Sequence, residues 1–345
     1  FRVYRVFTEK TGSAEFEKEL KAAPYSMSNS LIDVKFSRRT GDVESIFDRE
    51  KGEYILKGEC SACVLDSEQC DTWASQKENL GKLKGEFAEP RFSVKEDGNV
   101  RVTIRVESKF GNSLLIRDYS LLKGEKTVYV KAKTDFREKH STLKLTFPQT
   151  GGNIRCGMQY AAVERKTLKG EEPCGAWIAS NGFFVANTAE HGYDAENGKL
   201  RITVLRTAVY ADLFGHESRD EYCSFMDMGE SEFEYLIAPF VSNSDSEKKA
   251  AELNMPLRAV TESFHFGVLK EEMSFFECEN KDILISAVKQ SEDGKFDVIR
   301  AYDINREVQE GKVKIFNKVF NIKLMPGEVN TYNFNGKKLS ITELE

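Results

Sequence analysis

Between Tyr210 and Asp227 the sequence crowds Asp212, His216, Glu217, Arg219, Asp220, Glu221 and Asp227 into one stretch. Carboxylates so placed could cleave a glycosidic bond, which needs one carboxyl as acid and another as nucleophile or base, about 5–9 Å apart. With 56 acidic side chains in 345 residues, composition alone favours a solvated connection between strands. Cys60-x-x-Cys63 has metal-ligand spacing, but Cys70 and then His140 are the next candidates, so the second half of a zinc site is missing and an incidental pair is expected. His140, His191, His216 and His265 are scattered and read singly as surface or structural histidines. Trp73 and Trp177 could stack on a sugar face, although core packing is the commoner use in a β-rich chain. No nucleophile elbow, phosphate loop, zinc-protease helix or dinucleotide fingerprint occurs.

The elements that must carry these residues are strands. Val100, Val102, Ile104 and Val106 alternate with Arg101, Thr103 and Arg105, as half-buried strands do. Leu143, Leu145 and Phe147, then Ile202 and Val204, then Phe320, Ile322 and Leu324 repeat the pattern. Asp97-Gly98, Asn197-Gly198, Asp293-Gly294 and Asn335-Gly336 supply tight hairpin turns between such runs. The period predicts an all-β protein of antiparallel sheets packed as sandwiches. Helical pattern is confined to Ala14–Ala22 and to Asp245–Leu253, the latter opened by a capping box of Ser244 and Glu247 and stopped by Pro256. Residues 243–270 read as the connection between a large first unit and a smaller C-terminal one.

Composition narrows the classes of function. Fifty basic and 56 acidic side chains give a net charge of −6 with the signs interspersed, which excludes the concentrated basic footprint of a nucleic-acid binder. No stretch approaches the ~18 apolar residues of a membrane-crossing helix, and no membrane partner is expected. Seven cysteines, an odd number in a long chain, and no Asn-x-Ser/Thr acceptor point to a reducing, cytoplasmic setting. Phe1 is not Met and no leader follows it, so an upstream portion is expected to have been removed.

An ordered series of motifs then resembles the C-terminal region of the glycoside hydrolase family 38 α-mannosidases, bacterial type. The series runs Tyr160-Ala-Ala-Val-Glu164-Arg165, Gly170-Glu-Glu-Pro173, Trp177, Phe183-Phe-Val-Ala-Asn187, His191-Gly-Tyr-Asp194 and Val204-Leu-Arg206-Thr-Ala208. Tyr210-Ala-Asp212, Arg219-Asp-Glu221 and Glu232-Phe-Glu-Tyr235 continue it. Ser45-Ile-Phe-Asp48, Asp71-Thr-Trp73, Ala287-Val-Lys289 and Asp297-Val-Ile-Arg-Ala-Tyr302 extend the similarity over roughly residues 25–335. Departures from the family pattern are Ala161 for Gly, Thr188 for Asp and Thr207-Ala208 for Ser-Pro.

The resemblance implies a large galactose-mutarotase-like supersandwich over residues 25–260 and a small C-terminal β-sandwich over 261–345. Residues 1–24 become a lead-in from an upstream domain. It further implies that the parent, a retaining α-mannoside hydrolase, keeps its nucleophile, acid and zinc ligands in an N-terminal barrel. This chain is then expected to hold no catalytic residue, no metal ligand and no cofactor, and to be inactive alone. Its expected partners are that barrel and, through the parent, a mannose-containing oligosaccharide, with a homo-oligomer compatible with the sequence. Arg206, Tyr210, Asp212 and His216 are the candidates for one wall of the substrate cleft, with Arg206 either bonding sugar hydroxyls or pinning the loop through a carboxylate. A stand-alone carbohydrate-binding module is the alternative function, and a mutarotase-like sugar epimerase a further one.

Overall fold

The computed structural model describes residues 1–6, 18–67, 82–149, 151–166, 170–188, 191–210, 224–295 and 297–340. The architecture is nearly all β, and every paired strand runs antiparallel to its neighbour. A nine-stranded sheet has at its centre Arg101–Phe110, Ser113–Leu122, Val128–Phe136 and Gly229–Pro239. A six-stranded sheet is built around Ser61–Asp66, Ser141–Pro148 and Lys199–Thr207, and a five-stranded sheet runs from Lys21–Ala23 to Glu53–Lys57. One cluster of buried side chains draws on all three, with Ile32 and Val34, Val102 and Ile104, and Leu143 and Leu145 among its members. A sheet hydrophobic on one face must bury it against another, and these three do so together. The predicted turns sit where the chain reverses: Asn197 and Gly198, both at positive φ, join Gly192–Glu196 to Lys199–Thr207.

Period-two alternation holds in most strands but fails informatively in Ser141–Pro148, where seven of eight residues are buried. Lys144 and Thr146, which alternation places in solvent, are covered. The Lys144 ammonium lies between Glu171 and Asp194, 2.5 Å from the latter, and Arg201 donates to the other Asp194 oxygen at 2.6 Å. A buried ammonium survives only when paired in this way.

Towards the C-terminus, the strands Phe276–Cys278, Gln309–Ile315 and Lys318–Leu324 form one three-stranded sheet, and Leu284–Gln290, Asp297–Tyr302 and Val329–Asn333 another. They enclose a separate core of Ile299, Val313, Ile322, Leu324 and Tyr332. The hairpin of Lys21–Ala23 with Ser26–Ser28 straddles residue 24, so the chain has already joined the five-stranded sheet there. That strand also replaces the end of the helix expected over Ala14–Ala22, whose beginning lies outside the described residues.

The second expected helix exists, over Asn243–Asn254, but its cap differs. Ser242, not Ser244, is the N-cap; its hydroxyl accepts from the Asp245 amide at 3.1 Å and donates to the Asp245 carboxylate at 2.7 Å. Ser244 and Glu247 are thereby freed for tertiary work. Ser244 bonds Asp282, and Glu247 turns into a buried seam where it accepts from the Trp177 indole at 2.6 Å and from the Tyr302 hydroxyl at 3.3 Å. Trp177, Phe184, Leu236, Ala250, Leu284 and Tyr302 pack around this point, so the seam joins the nine-stranded sheet, the helix and the C-terminal sheets.

Burial pushes the Glu247 carboxyl above its ordinary value, against the lowering effect of the Trp177 and Tyr302 hydrogen bonds. The folded state therefore holds this proton at pH values where the unfolded chain has released it. Stability from this group is complete below the unfolded carboxyl value and is lost as pH rises through the folded one. Glu247→Gln keeps an acceptor for the indole and cannot titrate. The stability of the wild type relative to this variant is expected to decline with rising pH across that window. Urea unfolding at a series of pH values gives the comparison, and a flat difference would refute it.

Candidate functional site

Arg206 is the penultimate residue of Lys199–Thr207, opposite Thr142, and is half-buried. Thr207 anchors this end of the six-stranded sheet: its hydroxyl accepts from the Ser141 amide at 3.1 Å and donates to the carbonyls of Ser141 and Glu138. Beyond it, Ala208 to Tyr210 pairs with Ser224 to Met226 through an antiparallel Val209–Phe225 bridge. The Tyr210 amide donates to Ser224 at 2.7 Å and the Met226 amide to Ala208 at 3.0 Å. This short stem leaves Tyr210 58% exposed at the rim of the sheet. Asp212 and His216, with Arg219, Asp220 and Glu221, lie outside the described residues.

Arg206 and Tyr210 thus lie four residues apart, at the end of Lys199–Thr207 and in the short pairing that follows it. The Arg206 backbone amide donates to Asp227 Oδ2 at 3.4 Å. The rim also gathers residues that no sequence pattern singled out. His140, at φ 49°, meets Phe225 edge-on with ring centroids 4.9 Å apart, and Lys139 Nζ stands 4.8 Å from the Phe225 centroid. Lys84 donates to the His140 carbonyl at 3.2 Å and lies 3.8 Å from Asp66. An arginine, a tyrosine and an aromatic flanked by cations suit recognition of neutral polyols, by hydrogen bonds from the fork and hydroxyl and by ring stacking.

Most of the motifs that carried the resemblance are structural. Glu172 pairs with Tyr193 and Pro173 with Gly192, which delivers Glu171 and Asp194 to the buried Lys144. Arg165 donates to the Pro173 carbonyl at 2.6 Å and to the Tyr193 hydroxyl at 3.3 Å, tying the Tyr160–Arg165 run to the same corner. Trp177 is fully buried and cannot stack on a sugar, which removes one support from the carbohydrate-module alternative; Trp73 is outside the described residues.

A second concavity, of about 760 Å³, crosses the nine-stranded sheet. Its floor includes Arg105, Asp118, Lys131 and Glu234, which stand directly opposite one another on adjacent strands. Arg105 holds Asp118 by two hydrogen bonds of 2.7 and 2.8 Å, and Lys131 lies 3.0 Å from Glu234. Burial works against ionisation of Asp118, but the hydrogen bonds from Arg105 and Lys95 hold its carboxyl below the usual value. The row neutralises itself and leaves little charge for a ligand.

Zinc, implied by the resemblance for the parent enzyme, finds no ligand set among the described residues, where no group of three or more His, Cys, Asp or Glu side chains could hold a metal ion. Cys60 and Cys63 are buried thiols; burial pushes both upward, and the Thr146 hydroxyl lies 3.3 Å from Cys63 Sγ. Neither has the exposed, electropositive setting that favours a thiolate ligand.

The fold is that of two solved structures. An α-mannosidase from Enterococcus faecalis V583 matches over 92% of this chain with a TM-score of 0.78 at 15% identity. A protein in glycosyl hydrolase family 38 from Enterococcus faecalis matches over 93%, also at 0.78 and 15%. This chain spans 43% and 45% of their respective lengths. No curated protein matches the sequence. Residues 27–214 match the glycosyl hydrolases family 38 C-terminal domain, and the chain belongs to that family.

Proposed function

We propose that this chain serves as the C-terminal β portion of a retaining α-mannosidase, supporting hydrolysis without supplying the reacting groups. The observation that carries this reading is the family match over residues 27–214, joined to a fold likeness that spans nearly the whole chain. On this proposal zinc and the catalytic carboxylates belong to an N-terminal barrel. In this reading the rim of Arg206 and Tyr210 faces the substrate cleft, and the substrate is a mannose-containing oligosaccharide. The reading also keeps the protein cytoplasmic, in line with cysteines that include five free thiols.

The decisive experiment is an aryl α-mannoside assay of the 345-residue chain beside the complete product of its gene, each with zinc supplied. Turnover is expected only from the complete product. Zinc-dependent turnover by the 345 residues alone, or a complete product inert on α-mannosides, would overturn the proposal.

A further inference from the structure

The segment that follows the helix is unusual in what it leaves in water. From Pro256 to Lys270 the chain runs without helix or strand. Leu257, Phe266 and Val268 are completely exposed, Val260 is 83% exposed, and Met255 and Leu269 add to the same run. A solvated connector of this length is ordinarily polar, and an apolar stretch this open marks a surface meant to be covered.

The position of the strap says what would cover it. The residues just beyond it pair with the start of the described chain: the Val3 amide donates to Glu271 at 2.8 Å, the Phe1 ammonium to Met273 at 2.9 Å and the Met273 amide back to Phe1 at 3.1 Å. Phe1, Val3, Tyr4 and Val6 are themselves at least half exposed. From Phe1 the apolar surface continues over the small sandwich, through Phe275 at 5.7 Å, Phe316 at 5.4 Å from Phe275, and Phe334 at 6.5 Å from Phe316. The strap therefore leads straight into the residues that pair with the N-terminus, and from Phe1 the aromatic row continues as an apolar face. A domain joined ahead of Phe1 would emerge beside that face. The solved α-mannosidase carries 57% of its chain outside the part that this chain covers, ample to bury it.

We infer that residues 255–270 are a docking strap for the catalytic portion of the same polypeptide, with Leu257, Phe266 and Val268 as its anchors. The inference rests on the α-mannosidase reading above and adds the surface through which the two portions are held. Apolar side chains left fully in water gain most from being covered, so these three should outweigh the strap's polar residues.

Hydrogen exchange on the complete gene product tests it. Amides of 257–269 are expected to exchange roughly 100-fold or more slower than in an unstructured peptide, as for chain held in a packed interface. Leu257→Asp with Phe266→Asp should abolish this protection and speed chymotryptic cleavage of the strap. The same variant should leave exchange in the distant strand Ser141–Pro148 unchanged, which separates undocking from misfolding. Strap amides exchanging like free peptide in an active α-mannosidase would overturn the inference and leave the functional reading standing. Protection that appears only with sedimentation as a dimer, or only with lipid vesicles, would assign the strap to a second copy or a membrane and overturn it too. A complete product of these 345 residues alone would remove both.

Discussion

Trp177→Ala should lower the stability of this protein by about 3–5 kcal/mol, the usual cost of emptying a buried tryptophan site. Trp177 has no exposed surface, and its ring packs among residues from the nine-stranded sheet, the helix and the C-terminal sheets. The substitution also removes the 2.6 Å hydrogen bond to Glu247, leaving a desolvated carboxyl with only the longer Tyr302 contact. Trp177→Phe separates the two contributions, because it keeps most of the packing and loses only the indole donor. Its expected cost is about 1–3 kcal/mol, that of a buried group deprived of a partner. Urea denaturation followed by circular dichroism measures both. Hydrogen exchange should locate the damage at the helix Asn243–Asn254 and its contacts with Leu284 and Tyr302. A loss below 1 kcal/mol for Trp177→Ala, or damage confined to one sheet, would contradict the role of this residue as the pin between units. Gly157 supplies a companion variant: a Cβ there would collide with the indole nitrogen of Trp177, so Gly157→Ala must displace one of the two.

Much of the fold could be read from periodicity, because a two-residue repeat is a direct record of which face of a strand is dry. The turns were equally legible, since Asn197-Gly198 takes the positive φ angles that its residue types allow. Where reading failed, a long-range partner had outweighed a local preference. Alternation with Leu143, Leu145 and Phe147 places Lys144 in solvent; Glu171 and Asp194, distant in sequence, allow it to be buried. Ser244 and Glu247 had the spacing of a capping box, but each found a tertiary partner and the cap moved to Ser242. The rim shows the same limit from the functional side. Arg206 and Tyr210 were visible through the family pattern, whereas His140, Lys84 and Asp66 reach them only through the pairing of Ser141 with both Thr207 and Asp66. No window of sequence contains that register.

The strand Ser113–Leu122 carries the sharpest conflict between phase and chemistry, and it yields the second large prediction. Its buried face is Ser113, Leu115, Arg117, Tyr119 and Leu121, so alternation places a guanidinium in the core. Phase prevails because Asp42, just ahead of the five-stranded sheet's Val43–Asp48, is waiting there. Arg117 donates to Asp42 Oδ1 and, at 2.9 Å, to Ser108, while the Tyr119 hydroxyl reaches the same Asp42 oxygen at 2.7 Å. Burial disfavours the charged guanidinium, yet the adjacent Asp42 carboxylate raises its basicity overall, so it stays protonated. The pair links two sheets through charges that neither could bury alone. Arg117→Met should therefore cost about 3–5 kcal/mol, mainly because it strands the Asp42 carboxylate in the core. Removing the carboxylate as well, in Arg117→Met with Asp42→Leu, should recover most of that loss, since two apolar side chains carry no desolvation cost. The two substitutions are thus expected to be strongly non-additive, with a coupling of at least about 3 kcal/mol, the top of the range for residues in contact. Urea unfolding of the two single variants and the double variant measures it. Additive losses would mean that Arg117 contributes by packing alone, and that its charge does not hold the two sheets in register.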